Sequence, residues 1–91
     1  GFDTFAMIGV KLNANAAPQV FLDSLQAVEG VTGITRVVGN FDFIFTYVCR
    51  NLEESRQFIT DELRSIPEIA SFESFLGLDL YDRKFLVGII S

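Results

Sequence analysis

Histidine and tryptophan are absent from this chain, cysteine occurs once and proline twice. With Cys49 as the only thiol and no imidazole, internal disulfides and zinc sites of the Cys/His type are excluded. General acid–base catalysis also loses the side chain it most often recruits. Basic residues are scarce: 7 Lys and Arg stand against 12 Asp and Glu, for a net charge of −5. Phosphate contacts need clustered cations, so the balance argues against a nucleic-acid-binding surface on this chain. Apolar runs such as "FLVGII" at 85–90 fall far short of the roughly 18 residues that cross a membrane, and no basic-then-apolar leader opens the chain. No nucleophile with a nearby base and no glycine-rich phosphate loop can be read from the spacing. The expectation is a cytoplasmic, non-catalytic protein without cofactor, metal or membrane partner.

What the chain has in quantity is phenylalanine, ten residues in 91, within an apolar fraction of 49%. A chain of this length is one domain that buries about 60–65% of its unfolded surface, which limits it to a single two-layer core. It begins at Gly1 and reaches the apolar segment "FAMIGVKL" within four residues, as an excised domain would.

The apolar period switches in a regular order. "FAMIGVKL" (5–12), "ITRVV" (34–38) and "FDFIFTYV" (41–48) read as strands. Between the first two, Val20, Phe21, Ser24, Leu25 and Val28 fall on one side of a helix that Pro18 opens and "EGVTG" closes. A second helix starts at Asn51, with Glu54 three residues on as in a capping box. It presents Leu52, Ser55, Ile59, Leu63 and Ile66 on one face and stops at Pro67. "IASFESFLGLDL" (69–80) alternates as a strand, and "KFLVGII" (84–90) reads as a fifth strand or an arm. The order β-α-β-β-α-β is the ferredoxin-like α+β arrangement: an antiparallel four-stranded sheet with two helices on one face.

Gly39-Asn40 between two strand-like runs signals a two-residue hairpin. That register sets Val38 opposite Phe41, Val37 opposite Asp42, Arg36 opposite Phe43 and Ile34 opposite Phe45. One sheet face then collects Phe41, Phe43, Phe45 and Tyr47. The other carries Ile44, Val48, Val37 and Val31 with small Gly33, Thr35 and Thr46, where a helix packs closely. Four aromatic side chains of about 150 Å² each would leave about 600 Å² in water, more than a monomer usually tolerates. The expectation is therefore a homodimer through Phe41, Phe43, Phe45 and Tyr47, with fold-back of "KFLVGII" over that face as the alternative.

The succession "VEGVTGITRVVGNFDFIFTYVCRNLEESRQFITDELRSIPEIASFESF" resembles the effector-binding, or RAM, domain of the Lrp/AsnC transcriptional regulators. The resemblance rests on the Gly-x-aromatic-Asp hairpin (Gly39, Asn40, Phe41, Asp42), the polar-capped second helix, and an "IPxI" turn into a strand bearing a hydroxyl residue, here Ser74. It covers the chain up to about Leu80. It implies dimers built sheet to sheet, gathered into tetramers or octamers, with a small effector, usually an amino acid, bound where dimers meet. It places that ligand against Gly39, Asn40, Phe41 and Asp42, with Ser74 and its surroundings supplied by a neighbouring subunit. The helix-turn-helix that normally precedes such a domain is not in this sequence, so this chain alone is not expected to read DNA. "VEGV", "IPEI" and "DLYDRKFLVGIIS" depart from the family pattern at loops and at the assembly edge.

Two other classes share the topology: ACT-like amino-acid-binding modules, and dimeric ferredoxin-like enzymes such as small monooxygenases. The hairpin motif favours the regulator domain over the first, and the missing histidine weighs against the second. The residues also have plain structural readings. Asp42 bonds the hairpin backbone, Gly39 supplies a positive φ, Arg36 lays its stem over Phe43, and Cys49 fills core space. Glu53, Glu54, Asp61, Glu62, Asp79 and Asp82 read as solvated charges rather than a metal site.

Overall fold

The computed structural model describes residues 4–77. The segment 84–90, the end of the last expected strand at 78–80, and Asp79 and Asp82 lie outside the described residues.

Strands β1 (Thr4–Leu12), β2 (Val31–Arg36), β3 (Phe43–Cys49) and β4 (Ile69–Leu76) form one antiparallel sheet in the order β2-β3-β1-β4. Helix α1 (Pro18–Gln26) connects β1 to β2, and α2 (Leu52–Gln57) begins the connection from β3 to β4. This is the ferredoxin-like order expected from the sequence.

Pro18 sits in the first turn of α1, where its missing N–H costs nothing. Phe21 and Leu25 are fully buried, and Gln19 donates to Asp23 on the solvent side at 2.9 Å. The apolar stripe is rotated from the expected one: Val20 is half exposed, while Leu22 and Val28 flank the core. Asn51 caps α2, its side chain accepting from the Glu54 N–H at 2.9 Å. The helix then widens into a π turn at Phe58–Glu62 and tightens into a 3-10 turn at Leu63–Ser65. That widening lets Phe58 and Leu63, five residues apart, both enter the core. Of the expected face, Ser55 and Leu63 are buried and Ile59 and Ile66 pack against the core, while Leu52 is half exposed.

The sheet faces are the reverse of the sequence expectation. Phe43, Phe45 and Tyr47 lie under the helices, not on the free face. The helices bring aromatics of their own: Phe21 packs on Phe43 (ring centroids 5.3 Å apart), Phe58 meets Phe45 edge-on (6.2 Å) and stacks on Tyr47 (4.0 Å). An aromatic row facing aromatic helices fills the interlayer space without small residues opposite. The small residues serve the other face. Gly9 is buried there under the Phe41 ring, whose Cδ2 would stand 2.7 Å from an added Cβ, and Gly77 lies under Phe5 in the same way, at 2.3 Å from Cζ.

A bulge in β2 adds to the difference. Arg36 pairs with Phe43 and Thr35 with Ile44, as expected, but the register then slips so that Val31 pairs with Tyr47. Gly33, at φ +62°, sits in the slip and lets β2 take the extra residue. Val31 thereby reaches the helix side, where it packs on the core.

Tyr47 and Cys49 are held neutral by this packing. Burial first, then the nearby Glu54 charge, raise the Tyr47 hydroxyl above its ordinary 10.0 and the Cys49 thiol above its ordinary 9.0. Backbone N–H groups of Asn51 and Ser55 offset part of the rise at Cys49. A raised folded value means that the stabilisation is complete below the ordinary pKa and is lost as pH rises through the folded one. Denaturant midpoints should therefore hold steady up to about pH 9 and decline beyond it, and the Cys49→Ala/Tyr47→Phe double variant should flatten the decline. An equally steep decline in the double variant would assign the alkaline loss elsewhere.

Candidate functional site

The hairpin end of the sheet is where the expected ligand residues converge. Val37 donates its N–H to the Asp42 carbonyl at 3.0 Å, so the expected pairing of these two residues holds. The loop between them is wider than a two-residue turn. Val38 is fully exposed, and Asn40 lacks the positive φ that a type I′ turn requires, Gly39 alone in the loop taking one, at +137°. The Asp42 N–H turns away from β2 and donates to the Val10 carbonyl of β1 at 2.8 Å.

The Asp42 side chain follows the same direction. Its Oδ2 accepts from the Leu12 N–H at 2.8 Å, extending the β1–β3 ladder past the end of β3. This bond solvates the carboxylate with a backbone donor and fixes its position. One oxygen is used by the fold; Oδ1 has no partner among the described residues.

A concavity of about 410 Å³ opens beside it, lined by Lys11, Leu12, Asn13, Arg36, Asp42 and Phe43, with the β1–α1 loop as its other wall. Asn13 is tied down twice: its N–H donates to the Glu68 carbonyl at 2.9 Å, and its Nδ2 to the Pro67 carbonyl at 2.9 Å. These bonds anchor the loop that forms the wall. Two cations and one carboxylate thus face one recess, and none is in an ion pair; among the described residues the only such pair is Arg56 with Glu53, at 3.9 Å on the surface. The arrangement offers an acceptor for a positive group and donors for a negative one.

Of the residues expected to bind a ligand, Gly39, Asn40 and Phe41 adjoin Asp42 in the chain, but Asp42 alone lines the recess. Phe41 turns to the helix-free face over Gly9. Ser74 pairs with Ile8 on β4, and β1 separates it from β3, so within one chain it does not join Asp42. Arg36 and Lys11 are the residues that sequence reasoning underweighted. Arg36 was legible from its pairing with Phe43, whereas Lys11 reaches the site only because β1 pairs with β3. No group of three metal-ligating side chains occurs among the described residues. A larger concavity opens at the opposite end of β3, away from these residues. Among the described residues no helix is long and apolar enough to cross a membrane.

Comparison with known proteins follows the same line. The sequence matches the family described as "Lrp/AsnC ligand binding domain" over residues 5–85. No curated protein sequence matches the chain. Among solved structures, AsnC of E. coli superposes with a TM-score of 0.83 at 22% identity, covering 90% of this chain and 55% of AsnC. The transcriptional regulator NMB0573 of Neisseria meningitidis, solved as its L-Met complex, gives 0.82 at 18% identity, covering 89% of this chain and 53% of that one. The hypothetical protein PHS023 of Pyrococcus horikoshii gives 0.74 at 26% identity, covering 86% and 93%. The chain thus spans about half the length of the first two and nearly all of the third. With the family match running through both helices and all four strands, the chain belongs to the Lrp/AsnC ligand-binding-domain family of transcriptional regulators.

Proposed function

We propose that this chain is a cytoplasmic sensing module that binds an amino acid at the Asp42 recess and assembles through its helix-free sheet face, passing occupancy to a transcription regulator. The observation that carries the reading is Asp42 itself: a carboxylate held by the Leu12 N–H, one oxygen free, beside unpaired Arg36 and Lys11. A zwitterion presents an ammonium for Asp42 and a carboxylate for the two cations. A free 2-oxo acid would lose the first of these contacts and a simple amine the second. The L-Met complex of the meningococcal regulator lends support, as a relative of the same fold with an amino acid bound. Gly39, Asn40 and Phe41 would frame the ligand from the loop, and Ser74 of a neighbouring subunit would close the recess.

Assembly rests on the free face. Phe5, Met7, Phe41, Ile44 and Val48 are only partly buried there, and Phe75 is 57% exposed. Such a contiguous apolar surface on a soluble domain marks an interface. A homodimer through this face, and dimers joined into tetramers or octamers, follow as the proposed assembly. A net charge of −5 weighs against DNA contact through this chain itself. A thermal-shift screen of the twenty amino acids and common 2-oxo acids tests the reading: at least one amino acid should raise the melting temperature saturably, above any effect of its 2-oxo counterpart. A flat response to every amino acid would count against it.

A further inference from the structure

The larger concavity, about 510 Å³, lies between the α1–β2 turn, the start of β2, the end of β3 and the start of α2. Val31 and the Tyr47 ring form apolar walls; Glu29, Glu54 and Arg50 stand around them. Tyr47 is only 8% exposed, with one ring face stacked on Phe58 and the other against Gly30, where an added Cβ would stand 2.9 Å from Cε1. The ring is clamped. Its hydroxyl nevertheless has no hydrogen-bond partner among the described residues.

Neither Glu29, Glu54 nor Arg50 is in an ion pair among the described residues. Burial first, then the Glu54 charge, with Cys49, Glu62 and Glu29 behind it, raise the Tyr47 hydroxyl above its ordinary value. Two carboxylates, Glu29 and Glu54, and one guanidinium, Arg50, line the recess. Tyr47, with its unpartnered hydroxyl, lines the same recess.

We infer that this recess is a second ligand site, for a short aliphatic diamine. Each ammonium needs oxygen acceptors, which Glu29, Glu54 and the Tyr47 hydroxyl supply. The methylene stem needs an apolar lining, which Val31 and the Tyr47 ring edge supply. An anion would meet the two carboxylates, and a neutral diol would forgo the charge-assisted bonds. The site shares no residue with the Asp42 recess and calls for a different ligand charge, so it stands or falls independently of the amino-acid reading.

Putrescine titrated into the nitrogen-15-labelled full chain at about 0.15 M salt, where diffuse attraction to an acidic surface is screened, provides the test. Saturable shifts should appear at the amides of Gly30, Thr32 and Val48, and butanediol at equal concentration should produce none. Glu29→Gln and Glu54→Gln should each weaken binding about tenfold, and Tyr47→Phe, which keeps the stacked ring, about threefold. Non-saturating shifts spread over the acidic surface, equal shifts with butanediol, unchanged affinity in Glu54→Gln, or shifts confined to the Asp42 loop would each overturn the proposal.

Discussion

Truncating Phe45 to alanine is expected to cost about 3–5 kcal/mol, the range for a fully buried aromatic whose neighbours cannot collapse into the space. Phe45 is completely buried on the helix side of β3, opposite Ile8 and edge-on to Phe58. A small domain has only about 5–15 kcal/mol of stability, so the loss removes a large fraction of it and the variant should melt far below the unmodified chain. Urea unfolding followed by circular dichroism reads the loss directly. Because the ring lies within the protomer, the loss should persist where the protein is concentrated enough to remain associated. A variant that keeps its melting curve but changes its oligomeric state would place Phe45 at an interface and contradict the packing described above.

The converse is expected of Ile44→Glu. Ile44 lies on the helix-free face beside Gly9 and Thr35, its partners on the two flanking strands, and is part of the apolar surface left between Phe41, Met7 and Val48. On that surface a carboxylate is solvated in the monomer and desolvated in a sheet-to-sheet dimer, where two-fold symmetry brings in two of them. The dissociation constant of the proposed dimer should rise by at least about a hundredfold, equivalent to about 3 kcal/mol, while the helix–sheet core stays intact. Light scattering at micromolar concentration should show a folded monomer with a native circular dichroism spectrum. An unchanged dimer would remove this face from the assembly.

These opposite expectations for adjacent residues of β3 mark where the sequence was readable and where it was not. The element order, the Asn51 cap, Pro18 at the helix start and the pairing of Arg36 with Phe43 are local, and local chemistry determines them. Which face of the sheet the helices cover is not local. It depends on Phe21 and Phe58 meeting Phe43, Phe45 and Tyr47, and on Phe41 and Phe5 folding over Gly9 and Gly77 so that small residues are filled from within the free face. The alternation of β3 identified two faces correctly but carried no label saying which was inside. The slip at Gly33 and the π turn at Phe58–Glu62 each add a residue to a regular period; a glycine inside a strand signals the first, and no residue type announces the second.

The site shows the same division. Asp42 stood out because a carboxylate between two phenylalanines must be solvated, paired or used, and the Leu12 N–H answers half of that question. Arg36 could be read from the hairpin pairing. Lys11 and the β1–α1 loop enter only through the antiparallel pairing of β1 with β3, which joins residues more than thirty positions apart. The proposed contribution of Ser74 from a neighbouring subunit lies beyond any single chain's pattern.

The central claim is that Asp42 serves a ligand as well as the fold. Calorimetric titration of the amino acid with the largest thermal shift, into the unmodified chain and into Asp42→Asn, tests it most directly. Asparagine retains an oxygen for the Leu12 N–H but removes the charge. Melting stability should therefore stay within about 1 kcal/mol while binding weakens by about 1.5–3 kcal/mol, the range for a charged hydrogen bond. Unchanged affinity accompanied by a large loss of stability would contradict the account and leave Asp42 as a residue of the β1–β3 ladder alone.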